Sequence, residues 1–199
     1  MSDYITAEEL KATLELTGRN FADHDIPMAI SAASRGIDNV TGRRFHADTA
    51  DATRYYTPSN PYTVEIDDLF HLTSVKVDTT GGGVYSTTWT LNTMFALEPL
   101  NAEADGKPWE RIRLNPNGGQ RFYYYPRSVQ VIGKFGWEEI PDEVRQAATI
   151  IASRLIGRAR SSPHGVVALG MDGEAVRIAR FDPDITFLLG DLTRDSFFA

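Results

Sequence analysis

The sequence predicts an α+β protein: a mainly helical bundle core of three main helices, carrying a small antiparallel β insertion and an extended C-terminal tail. Three observations predict it. Apolar residues recur at helical spacing before Gly42 and again after Pro141. Between these stretches the chain is rich in Tyr, Val, Thr and Trp, in short alternating runs broken by Gly, Pro and Asn clusters. After Ser161 neither period persists for long. The expected division is therefore 1–52 and 136–160 as helical core, 53–135 as β-rich insertion, and 161–199 as a hairpin, a short helix and a docking tail.

Each element has a local reason. Thr6-Ala7-Glu8-Glu9 reads as a capping box, with Leu10, Leu14 and Leu16 following before Gly18, and gives a helix over about Ala7–Thr17. Asp25-Ile26-Pro27 can start a second helix, whose Ile26, Ile30, Ala33, Ile37 and Val40 form one apolar stripe up to Gly42. Five alternating segments read as short antiparallel strands: 62–66, 74–78, 88–91, 111–114 and 128–132. Helical period returns at Pro141, where Asp142 and Glu143 complement the dipole and Val144, Ala148, Ile151, Leu155 and Ala159 repeat along one side. The tail offers a hairpin around Met171-Asp172-Gly173 and a last helix begun by Asp182-Pro183.

Composition narrows the chemistry. The 199 residues contain no cysteine, which excludes disulfides, thiolate metal sites and a cysteine nucleophile. Net charge is −7, from 20 Lys and Arg against 27 Asp and Glu, which argues against generic gripping of phosphate backbones. The N-terminus lacks the basic start and apolar run of a signal peptide, and no 18-residue apolar run exists to span a bilayer, so a cytoplasmic life and no membrane partner are expected.

No catalytic, cofactor-binding or metal residues are assigned. The four histidines form no paired-ligand motif, and His46 with Asp48 and Asp51 reads as a solvated loop rather than a metal site. Gly81-Gly82-Gly83 lacks the Lys-Ser/Thr of a phosphate loop and reads as a turn. Asp67 and Asp68, adjacent on a strand, should point to opposite faces. Phe122-Tyr123-Tyr124-Tyr125 between Arg121 and Arg127 could stack bases, but aromatics of a strand more often pack a sheet or an interface.

The charge is unevenly placed. Residues 141–180 carry six basic and four acidic side chains, while every other segment is net acidic. One basic stretch among acidic neighbours suits head-to-tail self-association as well as ordinary intrachain pairing.

Three stretches carry a resemblance: Tyr4-Ile5-Thr6-Ala7-Glu8-Glu9-Leu10, then Ala29–Arg44 ending in Thr41-Gly42-Arg43-Arg44-Phe45, and above all the run from Val131 to Ala147, with Gly133-Lys134-Phe135-Gly136-Trp137 and Pro141-Asp142-Glu143 in fixed register. In these the chain resembles the head-to-tail connector (adaptor) proteins of tailed bacteriophages, the gp6-like and gp15-like neck adaptors. The sheet and tail match them only loosely. The resemblance implies a non-enzymatic structural protein of the virion neck, assembled in the host cytoplasm. It implies a homo-oligomeric, dodecameric ring under the portal protein, which meets a neck stopper or tail protein and lets genomic double-stranded DNA pass without sequence-specific binding. No cofactor is implied. The alternatives are a head-tail stopper or tail-completion protein and, from another class, a small nucleic-acid-binding module or enzyme. The expected oligomer or portal interface combines Arg145, Arg154, Arg158, Arg160, Arg177 and Arg180 with the apolar Ile185, Phe187, Leu188, Leu189, Phe197 and Phe198.

Overall fold

The computed structural model describes residues 3–16, 25–161 and 183–194. The chain forms two compact units, one from Met1–Arg43 with Ile140–Ala199 and one from Arg44–Glu139.

In the first unit α1 spans Ala7–Leu16, α2 Asp25–Thr41, α3 Asp142–Ser161 and α4 Pro183–Leu189. The capping box forms in full: Glu9 N–H donates to Thr6 Oγ1 at 3.1 Å, and the Glu9 carboxylate accepts from Thr6 N–H at 2.7 Å. Ahead of it, Tyr4 is buried against α2, its N–H donating to Ser34 Oγ at 3.1 Å and its hydroxyl to Asp38. The apolar stripe of α2, namely Ile26, Ala29, Ile30, Ala33 and Ile37, faces inward. On α3 the side chains of Val144, Ala147, Ala148, Ala152 and Ile156 do the same. Small alanines on both faces let α2 and α3 approach closely. Leu189 and Leu192 are buried, and Arg194 N–H donates to the Thr41 carbonyl at 3.0 Å, so the segment after α4 is fastened to the end of α2.

The second unit is a six-stranded antiparallel sheet of β1 (Ala52–Tyr56), β2 (Thr63–Val77), β3 (Thr87–Trp89), β4 (Phe95–Glu98), β5 (Trp109–Leu114) and β6 (Val129–Phe135). The order is β1-β6-β2-β5-β4, with β3 pairing to β2. Strand β2 has 15 residues and serves two neighbourhoods: Thr63–Leu69 pairs with β5, and Leu69–Val77 with β6. Register shifts at Leu69/His71 and Leu72/Ser74 let it bend between them. Gly133 of β6 lies against this bend, where any Cβ would overlap the His71 carbonyl oxygen. Val129, Val131 and Phe135 of β6 point inward with Val64, Ile66, Val75, Ile112 and Phe122.

These findings correct the expected fold class. The described residues form four α-helices and a six-stranded sheet, not a mainly helical bundle of three main helices with a small insertion. The physical reason is that the sheet closes a core of its own, fourteen buried apolar residues, and so is no excursion resting on helices. The two short strands expected at 62–66 and 74–78 are halves of β2. The hairpin expected around Met171-Asp172-Gly173 lies outside the described residues.

Candidate interaction surfaces

Among the described residues, no group of three or more His, Asp or Glu could hold a metal ion. The loop carrying His46 has other uses for its carboxylates. Asp48 accepts from Arg54 at 3.5 Å and from Phe135 N–H at 3.3 Å, and Asp51 accepts from the Thr73 hydroxyl at 2.6 Å. Asp67 and Asp68 do point apart. Asp67 takes Arg54 at 2.8 Å and the Tyr56 hydroxyl at 3.0 Å, while buried Asp68 accepts from Trp137 Nε1–H at 3.1 Å. Burial, with the Asp67 charge beside it, pushes the Tyr56 phenol above its ordinary range, so it stays a hydrogen-bond donor.

Trp137 also packs on Phe45, ring centroids 5.2 Å apart, and Gly136 N–H donates to the Asp68 carbonyl at 2.7 Å. Gly136 has φ +102°, and a Cβ there would overlap the His46 carbonyl oxygen. The Gly-Trp pair of the resemblance is thus a structural corner that locks the end of β6 against β2.

The glycine-rich turn is an anion cradle already filled by the chain. Asp78 accepts from Thr80 N–H and Gly81 N–H, each at 2.9 Å, from Gly83 N–H at 2.6 Å and from the Thr80 hydroxyl at 3.0 Å. Those donors, Thr80 N–H foremost, hold the Asp78 carboxyl below its ordinary value.

The expected interface residues are distributed as follows. Arg145 pairs within the first unit, with Glu9 at 2.8 Å across α3 and α1. The Thr6 N–H above all, with Arg145 adding to it, holds the Glu9 carboxyl below its ordinary value. Arg154 and Arg158 are exposed on α3. Arg160 is on the last turn of α3, and Arg177, Arg180, Phe197 and Phe198 lie outside the described residues. On α4, Leu189 is buried, Ile185 and Leu188 are half-buried, and Phe187 is 86% exposed. A short helix fixed by Leu189 therefore holds a phenylalanine almost wholly in solvent.

A second surface lies at the end of the sheet where β1 ends and β6 begins. The run from Arg121 to Arg127 is a loop there rather than a strand. Phe122 turns inward onto Trp89, centroids 5.1 Å apart, but Tyr124 and Tyr125 are exposed, with the Tyr125 ring stacked at 6.1 Å on Tyr123. The Arg127 guanidinium lies over the Tyr55 ring at 4.2 Å, and Tyr55 touches Tyr85 at 5.3 Å. Sheet packing is seen for Phe122 and for the half-buried Tyr123, which packs against the same core, and not for Tyr124 and Tyr125; the proline in Tyr125-Pro126-Arg127 was the signal for a loop.

No family model and no curated protein sequence matches the chain. Among solved structures, it is similar to a chain from the neck of an empty GTA particle computed with C6 symmetry. The two share 14% identity over 96% of this chain and 89% of that one, with a TM-score of 0.56. A chain from the virion of a native gene transfer agent (GTA) particle is also similar, at 14% identity over 89% of this chain and 93% of that one, with a TM-score of 0.48. The fold is therefore one found in a particle neck.

Proposed function

We propose that this chain is a structural neck protein of a phage-like particle, an adaptor that oligomerises as a ring under the portal and receives the next neck protein. The observation that carries this reading is the fold shared, through 96% of the chain, with a chain of a GTA particle neck. The sequence resemblance to the phage adaptors supports the adaptor position in particular. The net charge of −7 suits a lumen through which DNA slides without being held. Phe187, with the exposed Arg154 and Arg158, supplies contacts to the portal or to a neighbouring copy, as do Arg160, Arg177, Arg180, Phe197 and Phe198 on this reading. Electron microscopy of the protein mixed with its purified portal tests it: an added ring below the portal is expected. Binding to purified tails with none to portal would instead make it a stopper or tail-completion protein.

A further inference from the structure

Arg127 is held in a conformation that costs something to keep. Its φ is +59°, the left-handed region that a side chain rarely adopts, and no glycine or asparagine has been used there. Three contacts fix it. Its N–H donates to Thr57 Oγ1 at 2.8 Å, its carbonyl accepts from the Tyr85 hydroxyl at 2.6 Å, and its guanidinium stacks on Tyr55. Gln130 in turn donates to the Tyr55 hydroxyl at 3.3 Å. The result is an exposed cation on a rigid aromatic platform, with Tyr124 59% and Tyr125 42% exposed beside it. Among the described residues Arg127 forms no ion pair; Asp78, just after β2, spends its carboxylate on its own loop.

The matching charge is on the same unit at the other end of the same strand. Glu138 and Glu139 are exposed just after β6. Strand β6 has seven residues and separates the two patches by about 23 Å. At that separation, beyond two Debye lengths in physiological salt, the two patches cannot pair within one chain. Complementary patches at opposite ends of one strand can meet between copies, either reciprocally in a two-fold pair or head to tail, and the head-to-tail, heterologous geometry is the one that closes into rings.

We propose that the Arg127 platform, with Tyr55, Tyr124 and Tyr125, is a socket for the Glu138–Glu139 turn of a second copy of this chain. It deepens the neck reading, on which it rests, by naming the contact through which copies join.

The test uses the full chain with Arg127→Lys, which keeps the cation and adds an amine that a carbodiimide couples only to carboxylates in direct contact. Unlabelled and nitrogen-15-labelled protein are mixed, coupled and digested, and mass spectrometry reads which crosslinks join two molecules. Mixed-isotope links from the introduced amine to Glu138 or Glu139 should exceed those to any other carboxylate by about fivefold, the weight of one or two exposed ion pairs. The excess should vanish with Glu138→Gln and Glu139→Gln together, and at 1 M salt, where the Debye length is about 3 Å. Circular dichroism checks that each variant is folded. Links scattered over carboxylates in proportion to exposure, or confined to single molecules, would overturn the socket. So would scattered links together with duplex DNA retarded by the wild type but not by Arg127→Gln, which would make the patch a nucleic-acid surface. Specific links with no ring on the portal would leave the socket standing and sink the neck reading; a portal ring with scattered links would do the reverse.

Discussion

Replacing Trp137 with Phe should destabilise the sheet unit by about 3 kcal/mol. Trp137 Nε1–H donates to a buried carboxylate, Asp68, at 3.1 Å, and its ring is 6% exposed against Phe45. Losing a hydrogen bond to a charged acceptor costs about 1.5–3 kcal/mol. Losing the apolar area by which indole exceeds phenyl adds about 1 kcal/mol. For a unit the size of Arg44–Glu139, each kcal/mol lowers Tm by about 4–8 °C, so a fall of about 15 °C is expected. Urea denaturation followed by far-ultraviolet circular dichroism, with calorimetry for Tm, measures both. Asp68→Asn keeps an acceptor oxygen but removes the charge, and the double variant should show a coupling of about 1.5 kcal/mol. A loss below about 0.5 kcal/mol for Trp137→Phe, or no coupling to Asp68, would refute the view that this bond locks the end of β6.

Gly136→Ala should be worse than an ordinary loop substitution, by about 2 kcal/mol or more, because it meets both a left-handed φ of +102° and the His46 carbonyl; equilibrium denaturation reads it. The Asp78 carboxyl has a depressed folded-state pKa, so its stabilising effect is complete above the unfolded value near 3.9 and is lost as pH falls through the folded value. Asp78→Asn should therefore lower the denaturation midpoint at pH 7, with the gap to wild type closing towards pH 2; a gap independent of pH would refute the charge-based account. Leu189→Ala should cost about 2–4 kcal/mol by opening a cavity under α4, whereas Phe187→Ala should leave Tm unchanged and, on the proposed reading, abolish attachment to the portal in a pull-down assay.

What the sequence made legible was local. The capping box at Thr6 and Glu9, the Pro141 start of α3 and the inward stripe of α2 each rest on residues within a few turns of one another. The opposite facing of Asp67 and Asp68 follows from the two-residue period alone. The length of β2 was hidden because the run Leu69-Phe70-His71-Leu72-Thr73 spans two register shifts, and each shift breaks the alternation that marks a strand. Gly133, inside an otherwise alternating strand, was the available sign that another backbone comes close. Most of the interaction surface was not legible. The exposure of Phe187 depends on Leu189 being the residue that α4 buries, and the Arg127 platform is assembled from Tyr55, Thr57 and Tyr85, up to 72 residues earlier in the chain.

The charge pattern gives these surfaces a common logic. Named intrachain pairs absorb Arg35, Arg54, Arg111, Arg113 and Arg145, each on a carboxylate of its own unit. Arg121 and Arg127 stand before β6 and Glu138 and Glu139 after it, and none of the four forms an ion pair among the described residues. Exposed pairs of this kind contribute less than about 1 kcal/mol each, so a single socket contact between two free copies would be weak. On the proposed reading, a ring changes that arithmetic. Once several copies are held on one platform, each further contact forms at the high effective concentration set by its neighbours, and closing the ring adds a contact without a new association cost. A weak, salt-sensitive socket would thus keep the free protein from polymerising, yet suffice to close a ring where a partner has already gathered the copies.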